Sequence, residues 1–188
     1  YLLSACRFQN RAKKLGINTA SNYYRKFRGL LAIVLRDKLL TKDINTSLTR
    51  IEPKRNRIEF LTQQELYNLS NAHCEIPVLK RAALFSCLTG LRFSDAKGLS
   101  WDNIVPNLEV PGTTFNRTQK TETEATMPLS PDVLELCGSR EQGPVFKGFN
   151  RNMLYGPLKR WLREAGITKR ITFHCFRHTY AVLQLANG

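Results

Sequence analysis

Thr172-Phe-His-Cys-Phe-Arg-His-Thr-Tyr-Ala181 places His174, Arg177 and His178 at positions i, i+3 and i+4. Wound as a helix, these three side chains share one face. Phe173, Phe176, Tyr180 and Leu183 recur at apolar helical spacing and are expected to face a core. A helix that buries one side and presents His-Arg-His on the other can grip an anion. A surface helix with scattered charges reads equally well from this stretch alone. A second stretch far upstream, Leu88-Thr-Gly-Leu-Arg-Phe-Ser-Asp95, shifts the balance.

Taken together, the two stretches resemble the tyrosine recombinases, also called phage-type integrases. The catalytic domain of that family carries a T-G-L-R-x-S-[DE] segment, then a lysine on a β-hairpin, then H-x-x-R-H. Here the three read, in the same order, as Thr89 to Asp95, Lys120 within Thr118-Gln-Lys-Thr121, and His174 to His178. Leu99-Ser-Trp-Asp-Asn-Ile104 and Met127-Pro-Leu-Ser130 are similar to the family's flanking segments. The resemblance is strong over residues 58 to 188 and weak over 18 to 45. It implies an α+β, mainly α-helical fold: a helical catalytic domain with a small antiparallel β-sheet or hairpin, preceded by part of a helical core-binding domain. The expected boundaries are 1–50 for the partial core-binding domain, 51–58 for a basic linker and 59–188 for the catalytic domain.

Charge points to the same kind of partner independently. The chain of 188 residues has a formal net charge of +14. Residues 1 to 60 hold 14 Lys and Arg against 4 Asp and Glu; residues 61 to 188 hold 15 against 11. A basic excess so skewed toward one end suggests a polyanion, nucleic acid before a membrane surface. No apolar run approaches the roughly 20 residues that span a bilayer. Cys6, Cys74, Cys87, Cys137 and Cys175 are odd in number and widely spaced, with no C-x-x-C. We read them as reduced thiols of a cytoplasmic, bacterial nucleoid-associated protein, and expect neither a zinc site nor a disulfide framework.

Along the chain, residues 1 to 17 read as a basic helix ending near Gly16. Asn18-Thr19 or Ser21 is expected to cap the next helix, on which Tyr23, Phe27, Leu30, Leu31 and Val34 form an apolar stripe. Arg25, Lys26 and Arg28 fall largely off that stripe. They suit phosphate contacts, or simply a solvated face. Arg50-Ile-Glu-Pro-Lys-Arg-Asn-Arg-Ile58 is polar and contains Pro53, which marks a linker; Lys54, Arg55 and Arg57 are its candidate DNA contacts. Thr62 with Glu65 forms a T-x-x-E capping box. Pro77 opens a helix with core-like Leu79, Ala82, Ala83 and Leu88, closed by Gly90. Arg92 then sits just past a helix end, held by Leu88, Leu91 and Trp101. Residues 108 to 129 lose the helical period and favour strands, with Thr121 to Glu124 as the turn and Lys120 beside the tip. Ser130-Pro131-Asp132 starts a short helix ending at Gly138. Leu154, Leu158, Trp161, Leu162 and Ala165 mark another, which Pro157 starts or kinks and Gly166 ends.

These residue types suit attack on a phosphodiester, which builds negative charge on two non-bridging oxygens. Arg92 and Arg177 have the fork geometry to clamp both and stay charged at any working pH. His174 adds a third donor or handles the nucleophile's proton. Lys120 protonates the departing 5′-oxygen. Asp95 and His178 are supporting residues. No metal and no cofactor is expected, because guanidinium groups take the metal's part. Other readings stand beside these: Arg92 as a salt-bridge partner of Asp95, and Lys120 as a solvated hairpin charge near Glu122 and Glu124.

The resemblance puts the family's nucleophilic tyrosine after H-x-x-R-H in a further motif. We therefore expect it beyond Gly188, and expect this chain to be a piece of a longer protein, inactive by itself in strand cleavage. Tyr180 is assigned to the core by its helical spacing. The implied function is site-specific DNA recombination or integration through a 3′-phosphotyrosine intermediate. The partners would be double-stranded DNA and further copies of the protein, as a dimer or tetramer. A nonenzymatic DNA-binding protein on the same fold is the alternative.

Overall fold

The computed structural model describes residues 15–54, 57–105, 112–115 and 125–186. The chain divides into two compact units, Tyr1–Arg57 and Ile58–Gly188. That division falls inside the segment expected to be a linker.

In the first unit, α1 (Ile17–Arg36) begins one turn earlier than its candidate caps suggest. Gly16 occupies the N-cap position and supplies no side-chain cap. Asn18 and Ser21 instead fasten the returning chain. Asn18 Nδ2 donates to Lys54 O at 2.9 Å and Lys54 N–H donates to Asn18 Oδ1 at 2.7 Å; Ser21 Oγ donates to Ile51 O at 2.8 Å. The apolar stripe of α1 is not a core face. Tyr23, Phe27 and Leu30 are about half exposed, and the buried side chains of the helix are Ala20 and Tyr24. Periodicity locates the most apolar face; which face is covered depends on where other segments return, and 51–54 returns along the polar side. Most of the expected helix over 1–17 lies outside the described residues.

The second unit starts at Phe60-Leu61-Thr62, which is tied down from three directions. Lys169 Nζ donates to Phe60 O at 3.3 Å, Leu61 N–H donates to Thr179 Oγ1 at 2.9 Å, and Thr62 N–H donates to Glu65 Oε2 at 2.8 Å. The last of these belongs to the expected capping box, which opens α2 (Gln63–Asn71). Lys169 Nζ also reaches Glu65 Oε2 at 2.7 Å. Burial disfavours the charged Glu65 carboxylate, but the Lys169 ammonium and the Thr62 amide outweigh it and hold the carboxyl below its ordinary range.

Pro77 opens α3 (Pro77–Thr89) and Gly90 closes it in the left-handed conformation, φ 70°. Leu79, Ala82 and Ala83 are buried as expected, together with Phe85, Ser86 and Cys87. Leu88 is not: it is 41% exposed, because it lies on the opposite side of the helix from the buried Leu79 and Ser86. A short helix α4 (Phe93–Gly98) follows immediately. β1 (Ile104–Val105), β2 (Gly112–Phe115) and β3 (Ala125–Pro128) form an antiparallel sheet in that order, with Thr113 opposite Met127 and Phe115 opposite Ala125. Ser130 caps α5 (Pro131–Glu135). Pro157 stands in the first turn of α6 (Gly156–Glu164), so it starts that helix and does not kink it. α7 (Phe173–Ala186) packs along α3, the most extensive helix pairing among the described residues. The core joins Leu69, Phe85, Phe146, Leu158, Trp161 and Phe176, all buried. The fold is thus mainly helical with a small antiparallel sheet.

Candidate functional site

The segment that presents Arg92 is wired residue by residue. Ser86 Oγ donates to Leu91 O at 2.7 Å and Gly90 N–H donates to Ser86 O at 2.9 Å. Thr89 Oγ1 donates to Phe85 O at 2.7 Å and accepts from Leu91 N–H at 3.5 Å. Thr89 and Leu91 are buried anchors. Gly90 supplies the positive φ that reverses the chain between them. Arg92 emerges at the N-cap position of α4, half-buried. Among the described residues nothing is hydrogen-bonded to its guanidinium. In particular it makes no ion pair with Asp95. Asp95 Oδ1 accepts from Ser94 Oγ at 3.2 Å, and Oδ2 is shielded from solvent without a partner.

α7 brings the second motif to the same place. Arg177 Nη1 donates to Gly90 O at 2.7 Å, across 87 residues of sequence. This bond puts Arg177 beside the loop that carries Arg92, and uses only one of the five guanidinium donors. His174 and His178 stack edge to face, ring centroids 4.6 Å apart, as i and i+4 on a helix should. His174 is exposed and His178 half-buried.

The apolar neighbours of these residues are what lock the two motifs together. Phe93 follows Arg92, Phe173 precedes His174, and Phe176 precedes Arg177. Their rings form one cluster with Phe149. Centroids lie 5.1 Å apart for Phe93–Phe149, 5.8 Å for Phe93–Phe173, 5.5 Å for Phe149–Phe173 and 5.4 Å for Phe173–Phe176. Each such pair contributes about 0.5–1.5 kcal/mol beyond its buried area. The arginines are therefore held by adjacent residues that cannot move independently of the core.

Two expectations for α7 need correction. Tyr180 and Leu183 are half-buried and not core residues. Thr179 and Cys175, between the apolar positions, are buried instead. Thr179 is accommodated because its hydroxyl is fully used, donating to Cys175 O at 3.0 Å and accepting from Leu61 N–H. Cys175 is accommodated because its sulfur accepts from Thr172 N–H at 3.3 Å, at the foot of the helix. Sequence reasoning missed Ser86, Thr179 and Phe149. For Ser86 and Thr179 the available signal was a polar residue on an otherwise apolar helix, which must find a partner when buried.

Lys120 and Arg55 lie outside the described residues. In the first unit, Arg25 and Arg28 line one open groove of about 710 Å³ with Arg50, Asn22 and Asn45. Arg25 Nη2 donates to Asn22 Oδ1 at 2.9 Å, and Arg28 Nε donates to Asn45 Oδ1 at 3.4 Å. Lys26, Lys54 and Arg57 are exposed and do not line it. Among the described residues no group of three or more His, Cys, Asp or Glu is placed to hold a metal ion, and no helix is long and apolar enough to cross a membrane.

Comparison with known proteins follows the same outline. Residues 59–188 match the model of the phage integrase family. The tyrosine recombinase XerD of Lacticaseibacillus casei is 28% identical over 129 residues, 58% of this chain and 43% of that protein. The chain thus spans less than half the length of that curated relative. A lambda integrase (75–356) dimer bound to a COC′ core site superposes with a TM-score of 0.68 at 16% identity, over 91% of this chain and 65% of that one. XerH site-specific recombinase in a post-cleavage complex with palindromic difH substrate gives 0.64 at 16% identity, over 92% and 57%. At these identities the superpositions show a shared fold.

Proposed function

The chain belongs to the phage integrase family, the tyrosine recombinases, and we propose that it is the catalytic part of an enzyme that cuts and rejoins duplex DNA at specific sites through a 3′-phosphotyrosine intermediate. The observation that carries this reading is the 2.7 Å bond from Arg177 to Gly90 O, which brings a second arginine to the loop of Arg92. Two guanidinium groups on neighbouring segments, one with no hydrogen-bonded partner and one with a single bond among the described residues, suit a phosphate better than a structural ion pair. That Arg92 does not pair with Asp95 supports the same reading.

In the proposed reaction the tyrosine oxygen attacks phosphorus while the bond to the 5′-oxygen breaks. Arg92 and Arg177 bind the two non-bridging oxygens as charge develops on them. His174 takes the tyrosine proton or donates to the same oxygens, and Lys120 gives a proton to the 5′-oxygen. Asp95 and His178 orient these groups. No metal or cofactor enters. The nucleophile is a tyrosine outside the 188 residues. Residues 59–188 act as the catalytic domain, 51–58 as a basic linker and 1–50 as part of the core-binding domain. Arg25, Lys26, Arg28, Lys54, Arg55 and Arg57 contact DNA phosphates, a role that the groove lined by Arg25 and Arg28 supports. The protein works as a dimer or tetramer on DNA, at the bacterial nucleoid. Both structural relatives described above are DNA complexes of recombinases.

The test is covalent capture. The full-length protein is incubated with a nicked suicide duplex carrying its recombination site, and adducts are resolved on a denaturing gel. Wild type is expected to form the adduct. Arg92→Ala and Arg177→Ala are each expected to lower its rate about 100- to 1,000-fold, from about 3–4 kcal/mol of lost charge stabilisation. Arg92→Ala should melt close to wild type, and Arg177→Ala, which also loses the bond to Gly90 O, somewhat lower but still folded. Absence of any adduct from wild type would move the protein to the nonenzymatic DNA-binding class.

A further inference from the structure

Gly90 does more than end α3. A methyl group built on its Cα would lie 2.5 Å from Tyr180 Cδ1 and 3.0 Å from Cε1. The Tyr180 ring therefore rests directly on the Gly90 backbone, in the space that any other residue's Cβ would fill. One helical turn earlier, Arg177 holds the carbonyl of that same residue. α7 thus grips Gly90 with two side chains at i and i+3, one by a hydrogen bond and one by ring contact. Gly90 stands two residues before Arg92, and its left-handed φ of 70° sets the direction in which the chain leaves α3. Any shift of α7 against Gly90 changes the separation of the two guanidinium groups.

We propose that Gly90 and Tyr180 form a latch that sets the spacing of Arg92 and Arg177, which makes Tyr180 a positioning residue for strand cleavage and not a nucleophile. The inference rests on the phosphate-clamp reading above and assigns to that clamp a part that is neither a charge nor a hydrogen bond. It is the ring and not the hydroxyl that matters. The Tyr180 hydroxyl makes no hydrogen bond among the described residues. Phenylalanine therefore fits the latch as well as tyrosine does. Leucine keeps part of the apolar contact but lacks the reach and rigidity of a ring, and alanine leaves Gly90 uncovered. Misplacing a clamp group by about 1 Å costs on the order of 100-fold in rate.

The experiment compares two suicide duplexes with the full-length protein. One carries the ordinary scissile phosphate. The other carries a methylphosphonate there, which is neutral and lacks one of the two oxygens that the arginines would neutralise. Tyr180→Phe is expected to cleave the phosphate within about threefold of wild type. Tyr180→Ala is expected to lose about 100-fold on the phosphate, with unchanged duplex affinity. On the methylphosphonate its deficit relative to wild type should shrink toward that of the arginine variants, because a clamp with less charge to hold depends less on its spacing. A deficit equal on both duplexes would place Tyr180 in general stability and overturn the latch. Should Tyr180→Ala not fold, Tyr180→Leu is read on the same two substrates, with a smaller expected loss and the same shrinkage. Loss of the covalent adduct in Tyr180→Phe would make Tyr180 the nucleophile and also overturn the proposal. Arg92→Ala and Arg177→Ala are run alongside. If they cleave normally the clamp reading fails; if they are inactive while Tyr180→Ala is fully active, only the latch fails.

Discussion

The two units of this chain treat similar sequences in opposite ways. In residues 58–188, α3 buries Leu79, Ala82, Ala83 and Phe85, and α7 buries Phe173 and Phe176 while Tyr180 and Leu183 stay half-buried; Phe85, Trp161 and Phe176 have almost no exposure. In residues 1–57, α1 has an equally legible apolar stripe, yet its Tyr23, Phe27 and Leu30 are 48–57% exposed and its Leu31 and Val34 only half-buried. The difference is in what returns to cover the helix. α7 meets α3 along its length and the aromatic ring cluster around Phe173. α1 meets the Ile44–Ser47 turn and the 51–54 segment, both of which engage it through Asn18, Ser21 and Arg28. Amphipathicity is a property of the helix; burial is a property of its neighbours.

Four substitutions in the chain of 188 residues sharpen this contrast, all read by urea unfolding. Phe176→Ala should have the largest effect, about 3–5 kcal/mol, because it opens a cavity between α7 and the aromatic cluster. Thr179→Val comes next. It keeps the shape of the side chain but strands the buried Leu61 N–H, at a cost of about 1–3 kcal/mol. Stability unchanged in Thr179→Val would mean that the entry to the second unit is not pinned to α7. Glu65→Gln should cost about 1 kcal/mol at neutral pH by weakening the Thr62 cap and the Lys169 ion pair. The folded carboxyl titrates below its ordinary value of 4.5. Its contribution is therefore complete above about pH 4.5 and disappears as the pH falls through the folded value. Wild type and Glu65→Gln should converge once the pH has fallen below the folded value; a constant gap would assign the effect to packing. Leu30→Ala, on the exposed stripe of α1, should change stability by less than about 0.5 kcal/mol. A cost above 2 kcal/mol there would show that the stripe is covered in solution and would erase the contrast between the units.

The candidate site divides along similar lines. Arg92, His174, Arg177 and His178 were picked out by resemblance to a family's ordered motifs; by its own pattern the stretch from His174 to His178 reads equally well as a surface helix. The capping box at Thr62 and Glu65, the helix starts at Pro77, Pro131 and Pro157, and the helix end at Gly90 were legible for a local reason. Each is decided by φ, a missing N–H or a side chain within three residues. The cap of α1 failed by the same logic reversed. Asn18 and Ser21 have the right chemistry for a local bond, and partners 36 and 30 residues away took them.

The sequence by itself determined the order of the elements, the strongly basic balance of residues 1 to 60 and the residue types that can meet a phosphate. These depend on side-chain chemistry and on contacts within one helical turn, which the chain carries wherever it goes. Only the tertiary structure decided that Arg177 reaches Gly90, that Tyr180 lies on the same glycine, that Thr179 is buried and Leu88 is not, and that Asp95 leaves Arg92 alone. Each of those depends on how α7 sits against α3. That placement is set by the packing of Phe93, Phe149, Phe173 and Phe176, rings contributed by three distant segments whose meeting no local spacing encodes.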